Sequence, residues 1–293
     1  MRRLLFILLV LSIGFPAGDS IACRMWGMTV DPDAGLQYPD SVFRWSLELT
    51  AEQNWGAAGW DGWSVCHVPR SGPVTVHRSR TMPWDDEHGG WVLDGPQGNL
   101  YPVLADTASL AMVHFRLASS GAVDDPNPHP FLYTVDGRTY AYQHNGGVTG
   151  THWAEVMRRS VIGEAWLQLP LFAERPYMDL SRPERLVDSA FLAVLYMKQI
   201  LIARSYGEGI QSVPARVAEE MYRTAGRAGS RLDFNSINGL LTDSDTLWAV
   251  VIAPDTDYNL WTQPFPASTD TAGSAVVLNF RPDETWRPVR ELG

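Results

Sequence analysis

Apolar positions fall along this chain in short runs separated by Gly, Pro and Asp, and the first run differs from the rest. After Arg2 and Arg3, residues 4–15 are almost wholly apolar, and Pro16 and Gly18 then break the pattern. That run is short for a bilayer span and reads as the apolar part of an export leader. Further on, residues 23–30 read as a short buried strand, 31–38 as a loop and 41–49 as a short helix. Residues 63–68 and 74–78 are β-like and flank Pro69-Arg70-Ser71-Gly72, a hairpin candidate. Strands are also expected at 110–117 and at 138–143, where polar and aromatic residues alternate. Helices are expected over 153–159, 181–205 and 214–226, the second with Ser181 as N-cap and Pro183 in its first turn. Segments 240–242 and 247–253 flank Asp243-Ser244-Asp245 as a hairpin, and 275–280 is a last strand. Strands, then helices, then strands predict an α+β layered domain with antiparallel sheets. No repeat, low-complexity tract or linker divides it.

Composition narrows the picture modestly. The 293 residues are 45% hydrophobic and 19% charged, enough for a sizeable core. The net charge is −10, which argues against a nucleic-acid partner, because phosphate binding relies on clustered Lys and Arg. Loss of Arg2, Arg3 and Asp19 with a leader over 1–22 takes 23 basic and 33 acidic residues to 21 and 32, a net charge of −11. The seven histidines show no repeated metal-ligand spacing, so neither a metal nor a cofactor is expected. The Gly- and Trp-rich stretch 53–63 suits either the core or a pocket wall.

Candidate chemistry concentrates at the leader junction. Ser20-Ile21-Ala22 places small residues at the positions a signal peptidase reads before Cys23. A cut there makes Cys23 a new N-terminus that carries a thiol and an α-amine. The amine has an unperturbed pKa of about 8, so one residue holds both a nucleophile and its base. Two rivals stand beside this reading. Cys23 can be lipidated, which would block the thiol and tether the chain to a membrane, or it can pair with Cys66, the only other cysteine. The expected organisation is a signal peptide over 1–22 and one domain over 23–293, exported to the periplasm or the medium.

Three later stretches suit an N-terminal nucleophile. His114-Phe115-Arg116 ends an apolar run and leads into Ser119-Ser120-Gly121. An arginine there can clamp a carboxylate or pair with a structural acid. Asn127-Pro128-His129-Pro130-Phe131 is a rigid turn whose histidine either touches substrate or braces the loop. In His144-Asn145-Gly146-Gly147 a side-chain amide stands beside an unhindered N–H, the donor pair of an oxyanion hole, although Asn-Gly is also a common hairpin turn.

The order of these pieces resembles the class II glutamine amidotransferases of the N-terminal-nucleophile hydrolase superfamily. The resemblance is carried by Cys23-Arg24-Met25-Trp26-Gly27-Met28, Trp60-Asp61-Gly62-Trp63, His114-x-Arg116 with Gly121, Asn127-x-His129-Pro130-Phe131, His144-Asn145-Gly146 and Val187-Asp188-Ser189. The tail motifs Leu240-Leu241-Thr242-Asp243 and Glu284-Thr285-Trp286-Arg287-Pro288-Val289 are similar to those of stand-alone members. The resemblance implies a four-layer αββα sandwich and hydrolysis of a glutamine or γ-glutamyl amide through a thioester on Cys23. It also implies an oxyanion hole from Asn145 and the Gly146 N–H. Arg116 would bind the substrate carboxylate and Asp188 its ammonium, with Ser119 and His129 in support.

The chain departs from the family where Ala190 follows Asp188-Ser189 in place of Glu, where Ser64 follows Trp63 in place of Gly, and at Leu278-Asn279-Phe280-Arg281, where the family has Ser-Glu-Pro. An exported chain has few ATP-driven acceptors at hand, so simple hydrolysis is expected over nitrogen transfer. The alternatives are a non-catalytic secreted or lipid-anchored binding protein on the same scaffold, and a glutaminase subunit that passes ammonia to a partner.

Overall fold

The computed structural model describes residues 3–8, 23–29, 61–69, 73–79, 84–85, 90–91, 94–95, 98–99, 108–116, 121, 129–172, 176–227, 233–251, 261–264, 275–278 and 287–288. In chain order the first strands are β1 (Arg3–Leu8), β2 (Arg24–Thr29), β3 (Trp63–Pro69) and β4 (Thr75–Ser79). Two minimal hairpins follow, β5 (Trp84–Asp85) with β6 (Gly90–Trp91), and β7 (Asp94–Gly95) with β8 (Gly98–Asn99). Then come β9 (Ala108–Phe115), β10 (Phe131–Val135) and β11 (Arg138–Thr149). After the helices, β12 (Asp233–Thr242), β13 (Thr246–Val251), β14 (Trp261–Pro264), β15 (Ala275–Leu278) and β16 (Arg287–Pro288) complete the set.

A seven-stranded antiparallel sheet has the order β16-β14-β15-β2-β9-β3-β4. A five-stranded sheet has the order β1-β13-β12-β11-β10 and is antiparallel except for the β1–β13 pair. Period-two alternation gives each sheet two apolar faces. Met25, Cys66, Leu110 and Met112 of the larger sheet meet Ala141, Leu240, Leu247 and Ala249 of the smaller. The other face of the smaller sheet, with Tyr140, Tyr142, Leu241 and Val250, packs on helices. On the outer face of the larger sheet Trp26, Met28, Val65 and Val113 are also fully buried, so that face too is covered. The architecture is α+β, as expected.

The helices are α1 (Trp153–Val156), which runs into a π-type turn over Met157–Ile162, α2 (Glu164–Leu167), α3 (Asp188–Ser205) and α4 (Val213–Arg227). α3 is apolar on every side and therefore sits inside the domain, with Tyr196 stacked on Tyr142 of β11 at 4.6 Å. Lys198 on α3 donates to the carbonyls of Val161 and Ile162, both at 2.9 Å, and so satisfies the end of the π-type turn. Among the described residues no helix is long and apolar enough to cross a membrane.

Several expected elements change. The helix expected over 181–205 starts at Asp188, behind a separate 3-10 turn at Pro183–Arg185. Ser181 does not cap it, because its N–H and Oγ both donate to Asp179 Oδ1, at 2.9 and 2.7 Å. The strand expected to stop at residue 143 continues through Asn145-Gly146-Gly147 to Thr149, paired with β12 and bulged between Gly147 and Val148. β10 was not expected from the sequence; it joins β11 through an Asp136-Gly137 turn with φ of 51 and 75°. The Asp243-Ser244-Asp245 hairpin forms as read, with Asp243 Oδ1 accepting the N–H groups of Asp245 and Thr246. The loop at 31–38 and the helix at 41–49 lie outside the described residues. The apolar run expected in the leader contributes β1, paired residue for residue with β13.

Candidate active site

Cys23 is half-buried and lies immediately before β2, in the centre of the larger sheet. Asn145 belongs to β11 of the smaller sheet, yet its Nδ2 donates to the carbonyl of Cys23 at 2.9 Å. The amide expected to stabilise an oxyanion therefore reaches across the sheet-to-sheet gap to the backbone of the residue whose thiol is the expected nucleophile. Gly146 follows it with φ 141°, opposite Ile237. Gln143, two residues earlier on the same face, donates to Trp26 O at 3.2 Å and Val113 O at 3.1 Å.

Arg116 leaves the end of β9 and is buried. Its backbone continues the ladder into the Trp-Asp-Gly-Trp motif: Arg116 N–H donates to Gly62 O at 2.8 Å, and Asp61 N–H to Arg116 O at 3.0 Å. Gly121 lies against it. A Cβ on Gly121 would stand 3.0 Å from Arg116 Nη2 and 2.6 Å from Val187 Cγ2, and φ there is +76°. Only glycine fits both the space and the backbone. The contact places the Arg116 guanidinium beside the residue that precedes Asp188. Asp188 opens α3, is buried, and accepts the Val148 N–H on Oδ2 at 2.9 Å. Cys23, Asn145, Gly146, Arg116 and Asp188 thus come from four elements to one end of the sheets. Ser119 lies outside the described residues, as does Asn127.

His129 braces rather than protrudes. It is buried, stacks on His114 with ring centroids 3.8 Å apart, and meets Phe131 edge-on at 5.1 Å. Arg78 of β4 donates to His129 O at 3.3 Å and to Pro130 O at 2.7 Å, which ties the turn to the larger sheet. Burial, then the charges of His114, His144, Arg116 and Arg78, hold the His129 imidazole well below its usual pKa, so it is neutral. His114 Nε2 carries a proton, because its partner at 3.2 Å is the His144 carbonyl oxygen, which can only accept. His144 Nδ1 shares a hydrogen bond of 2.9 Å with Ser189 Oγ. Arg78 and Gln143 did not stand out in the sequence, because their roles depend on contacts between strands far apart in the chain.

Neither cysteine is in a disulfide. Cys66 lies in the core between the sheets, and burial pushes its thiol up to about 12, with Arg78 opposing weakly. The Cys23–Cys66 bridge left open by the sequence is absent. Among the described residues no three His, Cys, Asp or Glu side chains gather as metal ligands.

No protein-family model matches the chain, and neither does any curated protein. The solved structures similar to it include the following two. One is a glutamine aminotransferase class-II domain protein from Silicibacter pomeroyi, with 13% identity, 91% of this chain and 90% of that chain covered, and a TM-score of 0.47. The other is a predicted glutamine amidotransferase from Pseudomonas aeruginosa, with 12% identity, 91% and 89% coverage and a TM-score of 0.40.

Proposed function

We propose that this protein is an exported N-terminal cysteine amidohydrolase that acts on the side-chain amide of glutamine or of a γ-glutamyl compound, on a four-layer αββα scaffold. The observation that carries the reading is the Asn145 Nδ2 bond to the Cys23 carbonyl across two sheets. It supports the reading by bringing a side-chain amide donor to the backbone of the residue proposed to hold nucleophile and base. After the leader is cut, the free α-amine takes the thiol proton, and the thiolate attacks the amide carbon. Charge develops on the carbonyl oxygen, which Asn145 Nδ2 and the Gly146 N–H would stabilise. The C–N bond breaks, the α-ammonium gives its proton to the leaving nitrogen, and a thioester remains. Water then releases the acid and restores the thiol. Arg116 and Asp188, opposite in charge, would hold the substrate's carboxylate and ammonium and so fix its carbonyl over the sulfur. Ser119 would support that grip and His129 would brace the site. No cofactor enters these steps, and the partner is the small substrate itself.

The test starts with the intact mass and N-terminal residue of the exported protein. Protein that begins at unmodified Cys23 is then assayed for ammonia or amine release from glutamine and a panel of γ-glutamyl amides. Turnover is expected, with Cys23→Ala lowering kcat by ~10⁴-fold or more. A free Cys23 terminus with no turnover across the panel would falsify the substrate class. A lipidated Cys23 would replace the hydrolase by the anchored binding protein.

A further inference from the structure

The geometry points to Ser189 as a positioning residue that holds the oxyanion segment of β11 in place through His144; this rests on the hydrolase reading above. The segment Asn145-Gly146-Gly147 is the weakest part of a long strand. Its two glycines lack side chains to pack, and a bulge follows at Gly147/Val148. The start of α3 grips β11 on both sides of that segment. On one side Ser189 Oγ and His144 Nδ1 share a 2.9 Å hydrogen bond, with both residues buried. On the other, Asp188 Oδ2 accepts the Val148 N–H at 2.9 Å. Two adjacent helical residues thus clamp two points on the strand, and Asn145, Gly146 and Gly147 lie between them.

A third contact completes the hold. His144 O accepts His114 Nε2–H at 3.2 Å, and His114 stacks on His129, whose carbonyl Arg78 engages. The His144 ring cannot turn without losing the Ser189 bond, and its backbone cannot shift without losing the His114 bond. Asn145 is the next residue, so its amide inherits both restraints. Asp188 is also the proposed ammonium-binding group. A head group seated there would pull on the same helix start that Ser189 uses to hold the oxyanion donors. Recognition at one end of the substrate and stabilisation at the other then share one rigid element.

Two measurements test this on the processed protein. Steady-state kinetics of Ser189→Ala should show kcat falling by ~10- to 100-fold, as a misplaced group causes, with KM nearly unchanged. Ser189→Thr, which keeps the hydroxyl, should restore most of the rate. An unchanged kcat, or a rise in KM alone, overturns the role. Heteronuclear NMR of the His144 ring nitrogens and the Asn145 side-chain amide gives a readout independent of turnover. Both sets of signals should move in Ser189→Ala and return in Ser189→Thr. If neither moves, the positioning role is wrong whether or not the wild type hydrolyses anything. If both move and the wild type still turns over no γ-glutamyl compound, the positioning stands and the proposed function falls.

Discussion

The two cysteines lie on either side of β9 in one sheet, Cys23 immediately before β2 and Cys66 within β3, and have opposite surroundings. Cys66 lies mid-strand in β3, fully buried among Met25, Leu110 and Met112, with its thiol pushed up to about 12 by burial. Cys23 lies just before β2, half-buried, with the Asn145 amide on its carbonyl. The same side chain is thus sealed in the core where its strand runs inside the sandwich and only half-buried where its strand is about to enter it. Nucleophilicity needs thiolate, and burial in apolar surroundings suppresses it.

Alkylation gives the largest separation. At pH 8 a thiol pushed up to about 12 is about 10⁻⁴ thiolate, and its place in the core between the sheets also bars the reagent. Iodoacetamide should therefore modify Cys23 of the native protein at least ~10³-fold faster than Cys66, read by peptide mass spectrometry against time. Comparable rates would break the contrast. Next, Asn145→Ala should lower kcat by about 10²–10³ while Cys23 alkylation stays as fast as in the wild type. A parallel loss of alkylation would mean that Asn145 shapes the cysteine rather than the oxyanion.

The smallest effect concerns the buried imidazole of His129. His129 is held neutral in the fold, well below the unperturbed value of about 6.5 that it regains on unfolding. The unfolded state then binds the extra proton, so stability is complete above pH 6.5 and falls as the pH drops below it. The slope approaches about 1.4 kcal/mol per pH unit. His67, lowered to about 4 by burial and then His77, adds a loss of the same sign between pH 6.5 and 4. Urea unfolding at pH 7 and pH 5 should show a shallower acid loss in His129→Gln than in the wild type. An equal loss would take His129 out of the account.

Period and punctuation made most of the longer strands legible, because each has one or two buried faces and a turn at its end, although β12 was read only at its last three residues. β11 was read at half its length, since Asn-Gly-Gly has the local chemistry of a turn and only pairing with β12 keeps it extended. β10 was hidden behind the prolines that precede it. The helix start moved from Ser181 to Asp188 because a nearer acceptor, Asp179, takes the serine. The motif residues of the site were visible as a series. The bonds that link them were not: Ser189 to His144 spans 45 residues and Arg78 to His129 spans 51, and no local pattern encodes such contacts.

Gln143 shows what holding two stacked sheets together requires. Apolar contact between sheets resists their separation but is indifferent to direction, so one sheet can slide over the other at little cost. Cys23 and Asn145, the proposed nucleophile and oxyanion donor, sit on opposite sides of that sliding plane. Gln143 crosses it with two directional bonds, to Trp26 O and Val113 O, and acts like a dowel between two plates. The fit of Cys23 against Asn145 is then a matter of shear stiffness, to which the Gln143 amide adds beside the Asn145–Cys23 and His114–His144 bonds that cross the same gap.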